Sequence, residues 1–393
     1  MHILAASRTL PFHSVGGMQA IAWDLLTQFA GLGHRVTALT TEIASRHEPF
    51  VASGVKVVPI VGAPAEKYSR AWWRGSRAFA SSKECNDVDG VLSISTAAAG
   101  MTQLRKSHLR VPFLCQLHGT SWGEAVSKWR SGRWLERCKS FKNLYAIGRD
   151  ATIFSGFDEL IVVGDSLKKQ FSELPTRWVT RGVPVKVIRN GVDARFFRFN
   201  ERERQQIRAS FGFSPSAKVA LFSARLHAQK GAAEAIRAVS VLSRKGEDIF
   251  LLVVGGGPED GNLKELVGAL NLDSRIQFMG VVDRTRIPGF LSAADLLVFP
   301  TLRVEGLPMN VLEALGVGLP CVCSSSLAEV FGEIPAIVYT EPNNTIALSE
   351  ALERGFSFER TTQSQLPSGF SLECCAASYI EAFSRHQRSK VDV

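Results

Sequence analysis

Two carboxylates, Glu305 and Glu313, bracket the segment of this 393-residue chain best equipped for chemistry: Arg303-Val304-Glu305-Gly306-Leu307-Pro308-Met309-Asn310-Val311-Leu312-Glu313-Ala314. Pro308 brings a φ suited to the first turn of a helix, where its missing N–H is no loss. The spacing therefore predicts Glu305 in a loop and Glu313 in the first two turns of a helix over 308–317. The amides of Met309, Asn310 and Val311 at that helix start, with the positive end of its dipole, suit a phosphate. The flanking carboxylates suit vicinal hydroxyls, so the segment can grip a phosphate and a sugar together.

A second constellation follows an apolar run at 218–224: Ser223-Ala224-Arg225-Leu226-His227-Ala228-Gln229-Lys230-Gly231. An Arg fork and a Lys point charge at a strand end can neutralise a diphosphate leaving group. Taken alone they read more readily as solvated loop cations; the Glu305 segment gives them weight. Gly16-Gly17, after the first strand, allow close approach of backbone amides to a phosphate, or simply a tight turn. His118 closes the apolar run Val111–Leu117, at the edge where a parallel sheet binds ligands, although a structural histidine is the plainer account. Val253-Val254-Gly255-Gly256-Gly257-Pro258 lacks GxGxxG spacing, which argues against a dinucleotide loop. Asp87-Val88-Asp89 has the spacing of a metal motif but precedes strand 90–95, at its amino end, and reads as a solvated turn. No other cluster has metal-ligand spacing.

The elements that must position these groups alternate. Strands are expected at 2–7, 36–41, 55–60, 90–95, 111–118, 158–164 and 185–190, then at 218–224, 250–254, 276–280, 296–300, 320–324 and 336–339. Helices are expected at 17–32, 231–244, 261–270, 286–293, 308–317 and 371–386. Strand–helix alternation twice over predicts an α/β protein of two doubly wound, Rossmann-like parallel sheets facing across a cleft, with ligands outside the carboxyl ends of the strands. The expected division is 1–195, 196–370 and a C-terminal helix at 371–393 packing back toward the first domain. Segment 191–200 carries no period and is the expected linker.

Hydrophobic content of 45% and charged content of 21% are those of a soluble globular enzyme. No apolar run is long enough to span a bilayer, and Met1–Ala6 reads as a first strand, not a signal peptide. Seven Cys without a CxxC pair read as reduced cytosolic thiols. The net charge of +9 is uneven: residues 1–195 hold 26 Lys+Arg against 15 Asp+Glu, the remainder 20 against 22. Two stretches interleave Trp with basic residues, Lys67–Arg77 and Trp122–Arg149. They suit an anionic membrane surface or a lipid-diphosphate acceptor; the alternative is ordinary helices with Trp in the core. No nucleic-acid recognition motif accompanies them.

Together these motifs resemble the retaining glycosyltransferases of family 4, with the GT-B fold, over nearly the whole chain. The most specific match is Glu-x7-Glu, Glu305 to Glu313, followed by Ala-Leu-Gly-Val-Gly-Leu-Pro-Cys-Val; the Arg225 to Lys230-Gly231 block is the second. Weaker matches are Gly16-Gly17, Gly33-His34-Arg35-Val36-Thr37, Val163-Gly164-Asp165-Ser166, Asn190-Gly191-Val192-Asp193 and Ala294-Asp295. Gly306-Leu307-Pro308 replaces the commoner Phe-Gly after Glu305.

The resemblance implies that Arg225 and Lys230 hold the donor's diphosphate, Glu313 the ribose and Glu305 the transferred sugar. It implies that backbone from Gly306 through Leu307 and Met309 to Asn310 serves sugar and phosphate, and that Met279 to Val282 meet the base. Gly16 and Gly17 would close over the diphosphate, and His118 would lie beside the sugar. The implied reaction is transfer of a hexose or N-acetylhexosamine from a nucleoside-diphosphate sugar, with UDP or GDP the expected nucleotide and no further cofactor or metal. The acceptor would be a glycan or lipid-linked glycan of surface polysaccharide or lipopolysaccharide type, and the enzyme cytoplasmic or peripheral on the inner face of the membrane. Other readings on the same scaffold are a nucleotide-sugar epimerase, a sucrose/trehalose-type synthase, or a non-catalytic protein binding nucleotide-sugar or membrane.

Overall fold

The computed structural model describes residues 1–14, 16–44, 46–117, 150–173, 176–180, 182–303 and 305–391. His118 and the stretch Trp122–Arg149 lie outside the described residues. The chain forms two units, one of Met1–Gly191 with Leu372–Val393, the other Val192–Ser371.

The first unit is built on an eight-stranded sheet. Its strands are β1 (His2–Ala6), β2 (Arg35–Thr41), β3 (Phe50–Ala52), β4 (Val55–Ile60), β5 (Gly90–Ile94), β6 (Phe113–Leu117), β7 (Glu159–Val162) and β8 (Val185–Val187). The order is β3-β4-β2-β1-β5-β6-β7-β8, all parallel except β3 against β4. β1, β5, β6 and β7 are buried at every position, as parallel strands covered on both faces must be. β3 is an addition to the expected strands. It turns into β4 through Ser53 and Gly54, both at positive φ, the geometry of a two-residue hairpin.

The basic-aromatic stretch at 67–77 is not a Trp-bearing surface. It forms the helix Arg70–Ala80, where Trp72 is 0% exposed and donates its Nε1–H to Ala97 O at 3.1 Å. Trp73 is half-buried and stacks on Tyr68, while Arg70, Arg74 and Arg77 take the opposite, exposed face. Helical spacing puts the rings in the core and the cations in water. The C-terminal helix Leu372–Val391 buries Ala376, Tyr379 and Phe383 in the same unit, with the Tyr379 ring 6.2 Å from that of Phe29.

The second unit holds a six-stranded, wholly parallel sheet: β9 (Lys218–Ser223), β10 (Ile249–Val254), β11 (Ile276–Gly280), β12 (Leu296–Phe299), β13 (Cys321–Ser324) and β14 (Ile337–Thr340), in the order β11-β10-β9-β12-β13-β14. Chain order reverses between β9 and β12, and in the first sheet between β1 and β5. Such switch points open a crevice at the carboxyl ends of the strands. The division between the units, Gly191 to Val192, falls inside the expected linker 191–200, but the segment beyond it is packed. Val192 and Phe197 are each 1% exposed in the second core, and Val192 N–H donates to Phe370 O; apolar burial fixes what lack of periodicity made look loose.

Candidate active site

The loops leaving β9 and β12 meet at the second switch point. Gly231 sits at φ +85, and a Cβ there would fall 2.0 Å from Pro300 O, so only glycine fits. That approach lets Leu302 N–H donate to Gln229 O at 2.9 Å and sets the Thr301 hydroxyl 3.1 Å from the same carbonyl. Ser324, ending β13, anchors Thr301 O at 2.6 Å. The outcome is that Lys230 Nζ and Glu305 Oε1, 75 positions apart, stand 2.7 Å from each other, with side chains 24% and 12% exposed. Thr301 Oγ1 lies 3.0 Å from the same carboxylate oxygen, and the Phe299 ring centroid lies 5.6 Å from the ammonium.

Arg225 is exposed on the β9 loop. The glycine-rich turn after β10 positions it. A Cβ at Gly255 or Gly257 would strike Ala224 O or Leu226 O at 2.0 or 2.1 Å, and Leu226 N–H donates to Gly256 O. The glycines that superficially suggest a nucleotide loop press two loops together.

The expected helix is Met309–Gly316, and Pro308 is its N-cap (φ −75, ψ 111), one position before the first-turn place the sequence suggests. Asn310 changes the donor inventory. Its Oδ1 takes the Val311 N–H at 3.0 Å and its Nδ2 donates to Ser223 O at 3.0 Å, pinning the helix start to the end of β9. Val311's amide is thus occupied, and the donors left at the first turn are those of Met309 and Asn310. Leu307 and Met309 are half-buried against the core, whereas a Cβ at Gly306 would meet nothing within 4 Å.

Glu313 lies on this helix with Arg284 Nη2 at 4.0 Å from its Oε1. Arg284 opens the turn Arg284–Arg286 after β11. Asp283 caps that turn by accepting Thr285 N–H at 2.8 Å, and the hydrogen bonds from Thr285 hold the Asp283 carboxyl below its ordinary pKa. The guanidinium lies 5.5 Å from the Phe197 ring centroid and 5.9 Å from that of Phe196. Met279 and Val282 pack half-buried on the core, while Val281 between them is 73% exposed.

Of the remaining sequence-expected residues, Gly16 and Gly17 sit at the first sheet's switch point, where Gly17 opens the helix Gly17–Gly31 and Gly16 caps it in extended conformation. A Cβ at Gly17 would meet nothing, and one at Gly16 only the mobile end of Gln19. Asp295 of the Ala294-Asp295 match is structural. It receives Arg204 at 2.6 Å, Arg208 at 3.0 Å and the Val219 N–H at 2.9 Å, where these guanidinium groups also cap the carboxyl end of the helix Ile287–Ala293. Arg360 joins the cluster through Ala294 O and Leu291 O, and burial, then the charge of Arg204, pushes its pKa down to about 9. Asp87 and Asp89 are not merely solvated: Asp87 pairs with Arg35 and with His2 Nδ1, and Asp89 accepts the His2 N–H. Sequence reasoning missed Thr301, Phe299 and Arg284. A polar residue two positions beyond a buried strand, after Pro300, is a readable signal for Thr301; Arg284 meets its partner only through the fold.

Two doubly wound sheets, the second with paired acid and base at its switch point, define a GT-B architecture. The model for Glycosyltransferase Family 4 matches residues 15–196, and that for Glycosyl transferases group 1 matches residues 203–361. Between them they take in most of the chain, which belongs to the family-4, group-1 glycosyltransferases. Among curated relatives, the putative glycosyltransferase EpsF of Bacillus subtilis (strain 168) is 28% identical over 218 residues, 55% of this chain and 52% of its own. The matched stretch spans about half the length of the curated relatives that match first. Among solved structures, sucrose-phosphate synthase from Thermosynechococcus elongatus superposes with a TM-score of 0.77 at 16% identity over 99% of both chains. Anabaena HepE in complex with UDP-glucose does so at 0.72 and 17% identity, over 98% of this chain and 100% of its own.

Proposed function

We propose that the chain is a retaining, metal-independent glycosyltransferase that moves a hexose or N-acetylhexosamine from a nucleoside-diphosphate sugar to a glycan or glycolipid acceptor of surface-polysaccharide or lipopolysaccharide type. The Lys230–Glu305 contact of 2.7 Å beside the start of the helix Met309–Gly316 carries this reading. A cation for phosphate, a carboxylate for hydroxyls and helix amides within one loop cluster match the two ends of a glycosyl phosphate. HepE, a neighbour in fold, was solved with UDP-glucose, which supports a nucleotide-sugar donor; UDP or GDP is the nucleotide proposed.

In this reading Arg225 and Lys230 neutralise the diphosphate, Glu305 takes sugar hydroxyls and Glu313 the ribose. The bond from the anomeric carbon to the phosphate oxygen breaks, its electron pair staying with the phosphate. The acceptor oxygen bonds the same face of that carbon, and its proton passes to the departing phosphate. Fixed cations and amides stabilise the charge that develops on the leaving group, each contact contributing roughly 3 kcal/mol. His118 is proposed to lie beside the sugar, and His118→Ala checks it through kcat.

The expected result is a rise in Tm with UDP- or GDP-sugars in a panel that also holds ADP- and TDP-sugars, since a ligand bound to the folded state stabilises it. Transfer should persist in EDTA and give the donor's anomeric configuration by NMR. No thermal shift with any sugar nucleotide overturns the reading, and a covalent glycosyl-enzyme trapped by Glu305→Gln overturns the same-face mechanism.

The acceptor reading extends to a membrane surface. No helix among the described residues is long and apolar enough to cross a bilayer. Trp178, on the short helix Thr176–Thr180, is 77% exposed, and Lys168, Lys169 and Arg177 near it in sequence are exposed as well. An indole among cations suits an anionic headgroup layer. Flotation with phosphatidylglycerol vesicles at low salt should capture the protein, and Trp178→Ala should weaken capture. Equal behaviour of neutral and anionic vesicles refutes the proposal.

A further inference from the structure

The Arg284–Glu313 pair has a geometry that the proposed donor site does not by itself require. The separation of 4.0 Å between Arg284 Nη2 and Glu313 Oε1 is too long for a hydrogen bond. It is short enough for a single hydroxyl oxygen to lie about 2.8 Å from both atoms. A hydroxyl can donate to a carboxylate and accept from a guanidinium through the same atom, replacing a bridging water there. Both partners are held for the task. Glu313 is fixed on a helix whose start is tied to β9 through Asn310, and Arg284 is fixed by a capped turn and two aromatic rings. Side-chain exposures of 26% for Arg284 and 18% for Glu313 leave the pair reachable yet shielded enough for charge-assisted hydrogen bonds to count. Glu313 also lies four residues beyond Met309, about 6 Å along the helix axis from the phosphate-facing amides, so a ribose one link from the phosphate falls at the pair.

We infer that Arg284 and Glu313 together clasp one hydroxyl of the donor's ribose, making Arg284 a specificity-determining residue for ribonucleoside over deoxyribonucleoside donors. The inference rests on the proposed function and names which nucleotides that site accepts. Arg284 supplies the donor half of the clasp and Glu313 the acceptor half, so removing either the hydroxyl or the guanidinium breaks the same bond.

The test is a cycle of ligand against residue. Calorimetry of the full chain with UDP, 2′-deoxy-UDP and 3′-deoxy-UDP, repeated with the GDP series, should give at least one deoxy analogue binding roughly 10- to 100-fold more weakly, the range for a hydrogen bond to a charged group. In Arg284→Met, which keeps a stem against the rings, that gap should shrink about tenfold, with KM for the sugar nucleotide rising and kcat changing little, as for a uniform binding contact. Arg284→Lys, charged but without the fork, should fall between, and provides a second folded variant if the first is unstable. Wild-type protein that binds ribo- and deoxy-diphosphates alike, or variants that keep the full gap, overturn the inference and leave the transferase reading intact. Wild-type protein that binds no nucleoside diphosphate removes both.

Discussion

The Lys230–Glu305 contact makes a demanding prediction, because in the proposed reaction each partner has separate work. Without a donor the ammonium and carboxylate neutralise one another at 2.7 Å. A nucleoside diphosphate must compete with Glu305 for Lys230. Glu305→Gln keeps size and hydrogen-bonding shape but removes the competing charge. Exposed ion pairs contribute up to about 1 kcal/mol, and breaking a buried pair costs about 3–5 kcal/mol. With side chains 24% and 12% exposed, this pair falls between, near 2 kcal/mol. The ligand-free variant should therefore melt roughly 4–8 °C lower, given the size of the second unit. Its affinity for UDP or GDP should rise by up to about 30-fold, since 1.4 kcal/mol is tenfold. Transfer should fall about 100-fold or more in kcat, because the contact to the reacting sugar is lost. Calorimetry with the free diphosphate and steady-state assay of diphosphate release read the two arms separately. If Glu305→Gln weakens diphosphate binding while transfer stays normal, the pair is only a strut between two loops and the assignment of roles is refuted.

Three further perturbations test the frame. Gly231→Ala places a methyl 2.0 Å from Pro300 O at φ +85 and should cost at least about 3 kcal/mol; an unchanged denaturant midpoint would contradict the loop contact. Asp295→Ala removes two part-buried ion pairs and the acceptor of the Val219 N–H, and with each pair near 2 kcal/mol urea unfolding should register a loss of about 3–5 kcal/mol. His2, 6% exposed, is held below its ordinary pKa of 6.5 by burial, which outweighs Asp87. The unfolded chain then binds more protons below pH 6.5, so the stability from neutral His2 is full above that pH and declines as pH falls through it; His2→Gln should flatten the Tm profile between about pH 7 and 5, and an unaltered slope would refute the assignment.

Legibility followed the range of the forces involved. Most of the parallel strands are buried apolar runs, so local composition betrays them. The helix Glu201–Ser210 escaped because Ile207 is its only large apolar residue. It is held by the Asn200 cap and by Arg204 and Arg208 reaching Asp295, about ninety positions away. The helix Thr345–Phe356 has the same kind of start, Asn344 accepting the Ala347 N–H; a cap three residues before such a partner was readable in both. β3 had its signal in Ser53-Gly54. Within the site, Glu305 and Glu313 are local to one turn and could be placed from spacing. Lys230 meeting Glu305, and Arg284 facing Glu313, are products of β9, β11 and β12 converging, and no window of sequence contains them.

Glycines sharpen the same contrast, because a sequence writes all of them alike. At Gly231 the fold itself demands the missing side chain, since a methyl would collide with backbone. Gly17 is different: its φ is not positive, and a Cβ there would meet nothing within 4 Å. As the first residue of a helix it is even unfavourable, since Ala in a helix is better than Gly by up to about 1 kcal/mol. If Gly17 leaves room for a donor's diphosphate, as the family resemblance implies, Gly17→Ala should hold or raise Tm while KM for the sugar nucleotide climbs about tenfold or more. A variant that is more stable and equally active would mean that Gly17 answers to neither fold nor ligand, and the phosphate role of the first switch point would have to be abandoned.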